Sequence, residues 1–256
     1  MKLGHPNHPR RDVISEIEWA GENGFDFIDL FIEPDKAAVE NIDPGAIREA
    51  LAEHNLDVLG HMAWYLPIGS PMRQLRRAAV DIAVEHMRVF ADVGAPAVTI
   101  HANWPPGLFS AEDGIAWQIE SMRAIVEATG DLDTGLMYEP VTTEWDSPSN
   151  VKTILDAVPG LICHIDTGHS NLCGRRPEEV LKYFGDRVKH IHISDNNGLS
   201  DLHLPPGAGS IDWPAVFAAL RDIGYDRTLT IEVFSDDRNY VLLAKRTIEY
   251  LATHPA

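Results

Sequence analysis

Residues 161–192 read LICHIDTGHSNLCGRRPEEVLKYFGDRVKHIH. An apolar run, Leu161–Asp166, ends on a carboxylate. A helical pattern, Pro177–Phe184, follows, and a second apolar run, Val188–His192, ends on an imidazole. A strand, a helix and a second strand in this order predict a parallel β-α-β unit. Both strands stop on a residue type that is costly to bury without a partner.

The same alternation continues in both directions. Further strands are expected at Met1–Gly4, Phe25–Phe31, Asp57–His61, Ala97–His101, Gly135–Glu139 and Thr228–Val233. Further helices are expected at Asp12–Asn23, Pro44–His54, Pro71–Val93, Ala111–Thr129, Ser149–Ala157, Trp213–Ile223 and Asn239–Thr253. Apolar residues recur three and four apart in them, as in Val13, Ile14, Ile17 and Ala20. Asp43 before Pro44, Ser70 before Pro71 and Asp212 before Trp213 are start signals. Gly24, Gly94, Gly130, Gly185 and Gly224 are stop signals. Eight β-α units within 256 residues, with no Ser-, Gly- or Pro-rich linker, predict a single (β/α)8 TIM barrel spanning residues 1–256. A doubly wound open sheet is the alternative, but no glycine-rich phosphate loop follows the first strand.

Active sites of such barrels lie at the C-terminal ends of the strands. Here those ends carry His61, His101, Glu139, Asp166, His192 and Glu232; His169, Asp201 and His203 follow in loops. Glu139, Asp166, His192 and Glu232 end strands five to eight. Three carboxylates and one imidazole suit a divalent cation: Mn2+, Mg2+ or Co2+, with Zn2+ also admissible. Without a cation, three converging carboxylates repel and raise their own pKa values. A cation holding a hydroxyl and an adjacent carbonyl acidifies the α-carbon, and Glu139 and Glu232 could then move protons from opposite sides as the catalytic pair. His169, Asp201 and His203 would suit Zn2+, and His61 with His101 another, Glu139 bridging. One ion is the primary expectation, with up to three Zn2+ as the extended one. Strand alternation places His164 and His190 one layer below Asp166 and His192, with Thr99, Met137 and Thr230. His164, His190 and Thr230 are therefore expected to orient the ligands.

Composition narrows the partners. Lys and Arg number 21 against 39 for Asp and Glu, a net charge of −18. Duplex DNA binding needs a basic surface, so nucleic acid is not expected. Arg73, Arg76, Arg77 and Arg88 form the main basic cluster and read as a solvated helix face. No apolar run reaches the roughly 18 residues of a membrane span. The start, MKLGHPNHPRRD, lacks an apolar signal core, and a cytoplasmic location is the default expectation. Cys163 and Cys173 are too few for a disulfide framework.

The run HIHISDNNGLSDLHLPPGAGSIDW (residues 190–213), with HIDTGH before it and TIEVF after it, resembles the xylose isomerase-like barrel superfamily. That superfamily includes sugar and sugar-phosphate isomerases and epimerases, inosose dehydratases and the endonuclease IV enzymes. In the epimerase-like branch, the resemblance implies one cation on Glu139, Asp166, His192 and Glu232, with Glu139 and Glu232 as the proton-transfer pair. In the endonuclease IV branch, it implies three zinc ions on all nine residues. Three departures count against the second branch. Gly168 stands where that branch has Cys before its His, Leu202 replaces the Arg of Asp-Arg-His, and Gly207-Ala208-Gly209 replaces Gly-Glu-Gly. The expected activity is therefore isomerisation or epimerisation of a small sugar, sugar phosphate or polyol-ketone. A trinuclear zinc phosphoesterase or a dehydratase is the alternative. Dimers or tetramers are common among similar proteins, so the resemblance also implies a homo-oligomer. Around the expected site, Trp64, Tyr65, Trp104 and Trp145 could stack on a sugar ring, and Arg175 and Arg176 could grip a substrate phosphate.

Overall fold

The computed structural model describes residues 1–254. Eight parallel strands close into a barrel in chain order: β1 (Lys2–Pro6), β2 (Phe27–Ile32), β3 (Asp57–Met62), β4 (Ala97–His101), β5 (Gly135–Glu139), β6 (Ile162–Asp166), β7 (Val188–Ile193) and β8 (Thr228–Ile231). The helices are α1 (Val13–Glu22), α2 (Pro44–His54), α3 (Arg73–Val93), α4 (Ala111–Ala128), α5 (Pro148–Ala157), the single turn α6 (Thr167–Ser170), α7 (Pro177–Phe184), α8 (Trp213–Asp222) and α9 (Asn239–Thr253). The expected (β/α)8 barrel is the observed fold.

Local chemistry sets these boundaries. Asp12, Asp43, Ser110, Ser147 and Asp212 each cap a helix start by accepting a hydrogen bond from the first-turn backbone. Ser70 does not cap α3; the chain runs on to Arg73, preceded by Met72. β1 continues to Pro6, and β2 begins two residues later than expected because Phe25 packs under α1 against Trp19 and His5. On α3, Arg76 departs from the solvated face: it is buried, donating to the Ser70 carbonyl and pairing with Glu120 at 2.7 Å.

Strand alternation divides the sheet into two faces. Outward residues such as Ile28, Val98, Tyr138, Ile165, Ile191 and Leu229 pack into the apolar layer beneath the helices. Gly60 lies on that face because a Cβ there would meet the Phe90 ring of α3 at 2.6 Å. Inward positions build the other core. Gly4 leaves room for Phe27, whose ring helps fill the closed end. Above it lie Asp29, Thr99, His164, His190 and Thr230, and then the ring of candidate ligands. Register sets the level of that ring. His101 pairs with Glu139 and Asp166 with His192, whereas His61 pairs with Thr99 and His192 with Thr230, the stagger expected of a tilted barrel. No helix among the described residues is long and apolar enough to cross a membrane.

Candidate metal centre and substrate cavity

All nine residues singled out from the sequence converge at the C-terminal mouth. Glu139 is the hub. Its Oε2 lies 3.2 Å from His101 Nε2 and 3.5 Å from His61 Nε2, and those two nitrogens are 3.1 Å apart. Its Oε1 lies 3.5 Å from His169 Nδ1 and 3.7 Å from His192 Nδ1. His192 Nδ1 is in turn 3.2 Å from Glu232 Oε2. Asp166 offers an oxygen within 4.8 Å of the Glu139 and His192 donor atoms.

The backbone and the deeper layer aim these atoms. Asp166 uses Oδ1 to cap α6, accepting from the His169 backbone N–H at 2.6 Å, which leaves Oδ2 free. His169 spends Nδ1 on the Pro140 carbonyl at 2.9 Å, so its Nε2 faces Asp201 at 3.4 Å. His203 likewise bonds the Glu232 carbonyl through Nδ1 and meets Asp201 through Nε2 at 3.1 Å. His203 holds a left-handed backbone, φ +46°, which is uncommon for a non-glycine residue and is enforced here by the loop.

That loop, residues 194–212, is organised by Asp195. Its buried carboxylate accepts from the N–H groups of Asn196, Gly207, Gly209 and Ile211 and from Trp213 Nε1. Gly209 is required because a Cβ would strike the Asn196 backbone. The Gly207-Ala208-Gly209 segment thus wraps a carboxylate, and the wrap carries Asp201 and His203 over the mouth.

Two acidic residues, Asp29 in β2 and Glu33 just past it, escaped the sequence reading. Asp29, fully buried in FIDLFI, accepts from His192 Nε2 at 2.8 Å and from the Thr230 hydroxyl at 2.9 Å. It fixes the imidazole so that Nδ1 points into the ring, a carboxylate–histidine arrangement typical of metal sites. His190 supports it from below, 3.5 Å from Asp29 and 2.8 Å from the Thr228 hydroxyl. His164 reaches the Thr99 hydroxyl at 3.1 Å and lies 3.4 Å from Glu139 Oε2. His164, His190 and Thr230 are therefore placed as expected, with Asp29 as the missing link. The second residue, Glu33, lies beyond the strand and lines the cavity.

The donor set fits a divalent cation. Both oxygens of Glu139, Asp166 Oδ2, Glu232 Oε2 and His192 Nδ1 are buried without a hydrogen-bond partner. Such orphans are expensive unless something charged completes them. Burial pushes the Asp166 carboxyl up, and nearby Glu232 and Glu139 add to it. Burial alone would neutralise His192, but Glu232, Glu139 and Asp29 outweigh it and hold its imidazole well above the ordinary value. His203 is held up at about 9, since Glu232 and Asp201 overcome its burial. The carboxylates therefore draw positive charge into the ring. His101 behaves oppositely: burial lowers it to about 3, leaving a neutral imidazole suited to ligation.

A cavity of about 970 Å3 opens above the ring, and its walls include Phe31, Trp64, Trp104 and Phe234. Phe31 stacks on His61 at 3.9 Å and Phe234 on His203 at 4.3 Å, so aromatic faces hold two candidate ligands. Trp104 is anchored by an Nε1 bond to Asp146 at 2.7 Å and by edge contact with Trp145. Arg175 does not reach the cavity. Its guanidinium donates to the carbonyls of Thr143 and His169, bracing the loop rather than facing the cavity as the expected phosphate grip would.

Fold and site together define a (β/α)8 barrel whose mouth gathers buried His, Asp and Glu side chains that could hold a metal ion, above a polar inner layer. The chain belongs to the xylose isomerase-like TIM barrel family, whose sequence model matches residues 17–254. It is 24% identical over 253 residues to the fructoselysine 3-epimerase of Escherichia coli O157:H7, covering 88% of this chain and 87% of that one. A crystal structure of a D-tagatose 3-epimerase-like protein superposes with a TM-score of 0.88 at 22% identity, covering 98% of this chain and 97% of that one. The IOLI protein, crystallised with a bound zinc atom, superposes with a TM-score of 0.86 at 16% identity, covering 100% and 99%. The two structures share the barrel.

Proposed function

We propose that this protein is a divalent-cation-dependent epimerase or isomerase of a small hydroxy-ketone sugar. The observation that carries the reading is the pair Glu139 and Glu232. They sit on β5 and just past β8, both face His192 Nδ1, and both keep buried, unpartnered oxygens. Glu139, Asp166, His192 and Glu232 would hold the cation, which when bound polarises the ketone and acidifies the adjacent C–H. One carboxylate removes the α-proton and the other supplies a proton to the opposite face, inverting that carbon. Return to the neighbouring carbon gives isomerisation instead. Asp29 keeps His192 in one orientation throughout. Trp64, Trp104 and Phe234 give the sugar an apolar wall and limit water at the reacting carbon. The 3-epimerase relative named above supports this chemistry.

Deuterium exchange tests the reading. The cation-loaded protein in D2O is expected to place deuterium at the carbon next to a ketose carbonyl, followed by NMR. Glu139→Gln and Glu232→Gln should each lower turnover by about 10³-fold or more with the fold retained. Full activity in both would sink the mechanism.

A second reading rests on the convergence of all nine residues. His61, His101 and Glu139 form one donor group, Glu139, Asp166 and His192 a second, and His169, Asp201 and His203 a third. Three zinc ions could be held there, and a trinuclear phosphoesterase would use them. The charge of −18, with Arg238 paired to Glu16 and Arg175 spent on backbone carbonyls, favours the sugar.

A further inference from the structure

The cavity has a corner that the proton-transfer machinery does not use. Glu33 is the first residue past β2 and lines the cavity together with Phe31. It is half-buried, and among the described residues it accepts no hydrogen bond and forms no ion pair. Burial raises its carboxyl, and its charge reaches the neighbouring Tyr65. Trp64 and Phe31 line the same cavity. A free carboxylate in a cavity with aromatic walls is the chemistry that selects an ammonium group.

The cations of the cavity point the same way. Arg11 and Arg238 are the guanidinium groups on its walls. Both turn to the buried carboxylate of Glu16, Arg11 at 3.9 Å and Arg238 in direct contact. Arg238 also stacks over Trp19 at 4.5 Å. Arg238 is thus committed to Glu16 and Trp19, Arg11 leans toward the same carboxylate, and Arg175 is spent on backbone carbonyls.

We infer that Glu33 is a specificity-determining residue and that the substrate is an unphosphorylated ketose carrying an amine. The inference rests on the ketose reading above. In a productive pose the hydroxy-ketone faces Glu139 and Glu232, while the ammonium group sits against Glu33 and Trp64. A cavity of about 970 Å3 leaves room for such a substituent beyond the sugar.

Calorimetric titration of the cation-loaded protein with 1-amino-1-deoxy-D-fructose, D-fructose and D-fructose 6-phosphate tests it without requiring turnover. The amine is expected to bind about tenfold to a hundredfold more tightly than the neutral ketose, and the phosphate ester most weakly. Glu33→Gln should bring amine and neutral ketose within about threefold of each other, and Glu33→Lys should reverse the order in favour of the phosphate ester. The melting temperature of each variant separates a lost preference from a lost fold. Tighter binding of the phosphate ester by the parent protein, or an amine preference that survives in a folded Glu33→Gln, overturns the inference while leaving the ketose reading intact. Binding of none of the three ligands overturns the ketose reading itself.

Discussion

Asp29 fixes the candidate ligand His192 without lining the cavity. Its bonds to His192 Nε2 and the Thr230 hydroxyl link β2, β7 and β8 beneath the mouth. Asp29→Asn keeps the size but replaces the carboxylate that fixes the imidazole. Cation affinity, measured by competition with a fluorescent chelator, is expected to fall about tenfold to a hundredfold. Unchanged affinity would show that His192 needs no such partner. Asp29 was hidden in the sequence for a physical reason. Ligand-type residues were legible where they ended strands, as His101 and Glu139 do, because the barrel puts those ends on one face. A carboxylate mid-strand in FIDLFI lies a layer deeper, where only its unseen partners distinguish it from an isolated buried charge. Glu33 was hidden differently, since it opens a polar segment that reads as loop. His5 gives a pH prediction at this scale. Burial between Trp19 and Phe25 lowers its pKa to about 3, with Arg238 adding to the effect, so it folds as a neutral imidazole. The unfolded chain takes up that proton below about pH 6.5 and the folded chain does not. Its contribution is thus complete above pH 6.5 and falls as pH drops toward 3, by up to about 1.4 kcal/mol per unit. His5→Phe should lose less stability between pH 7 and 5 than the parent in urea unfolding; equal losses would refute the assignment.

At the scale of elements, the loop from β7 to α8 is built around one buried charge. Asp195 satisfies backbone donors along most of that loop and the Trp213 indole at the start of α8. Asp195→Ala leaves those donors buried and unpaired, at a cost of about 3–5 kcal/mol. Asp201 and His203 would then lose their placement. The expected result is a lower denaturation midpoint together with a changed Trp213 environment. A variant as stable as the parent would mean that the loop is held by other contacts. Gly60 makes a second element test. A Cβ there meets Phe90 of α3, so Gly60→Ala should cost about 1–3 kcal/mol by forcing helix and strand apart. Most elements were legible because caps such as Asp43 and Asp212 and stop glycines such as Gly94 act locally. Where tertiary packing decides, the reading slipped: the start of α3 passes Ser70, and Phe25 leaves β2 to pack under α1.

For the molecule as a whole, the barrel sums many buried, unpaired ligand atoms into one demand for positive charge. Glu139, Asp166 and Glu232 share a dry pocket in which neighbouring histidines hold Glu139 and Glu232 below the ordinary carboxylate value, while burial pushes Asp166 up. A divalent ion binding only the folded chain stabilises it by about 2.7 kcal/mol at a hundredfold excess over Kd. For a chain of this length that corresponds to a melting rise of roughly 5–10 °C, reversed by a chelator. Elemental analysis after dialysis then discriminates between the two readings of the mouth. If the centre is mononuclear, one ion per chain remains, and Asp201→Asn keeps it, because Asp201 meets His169 and His203 rather than the Glu139–Asp166–His192 group. If it is trinuclear, three zinc ions remain and Asp201→Asn loses one. The surface charge bears on the same choice. At −18 the chain repels a phosphate backbone, so cleavage of abasic DNA should be absent at physiological salt even with three ions loaded. Tight retention of three zinc ions together with such cleavage would move the assignment from sugar to phosphoester chemistry.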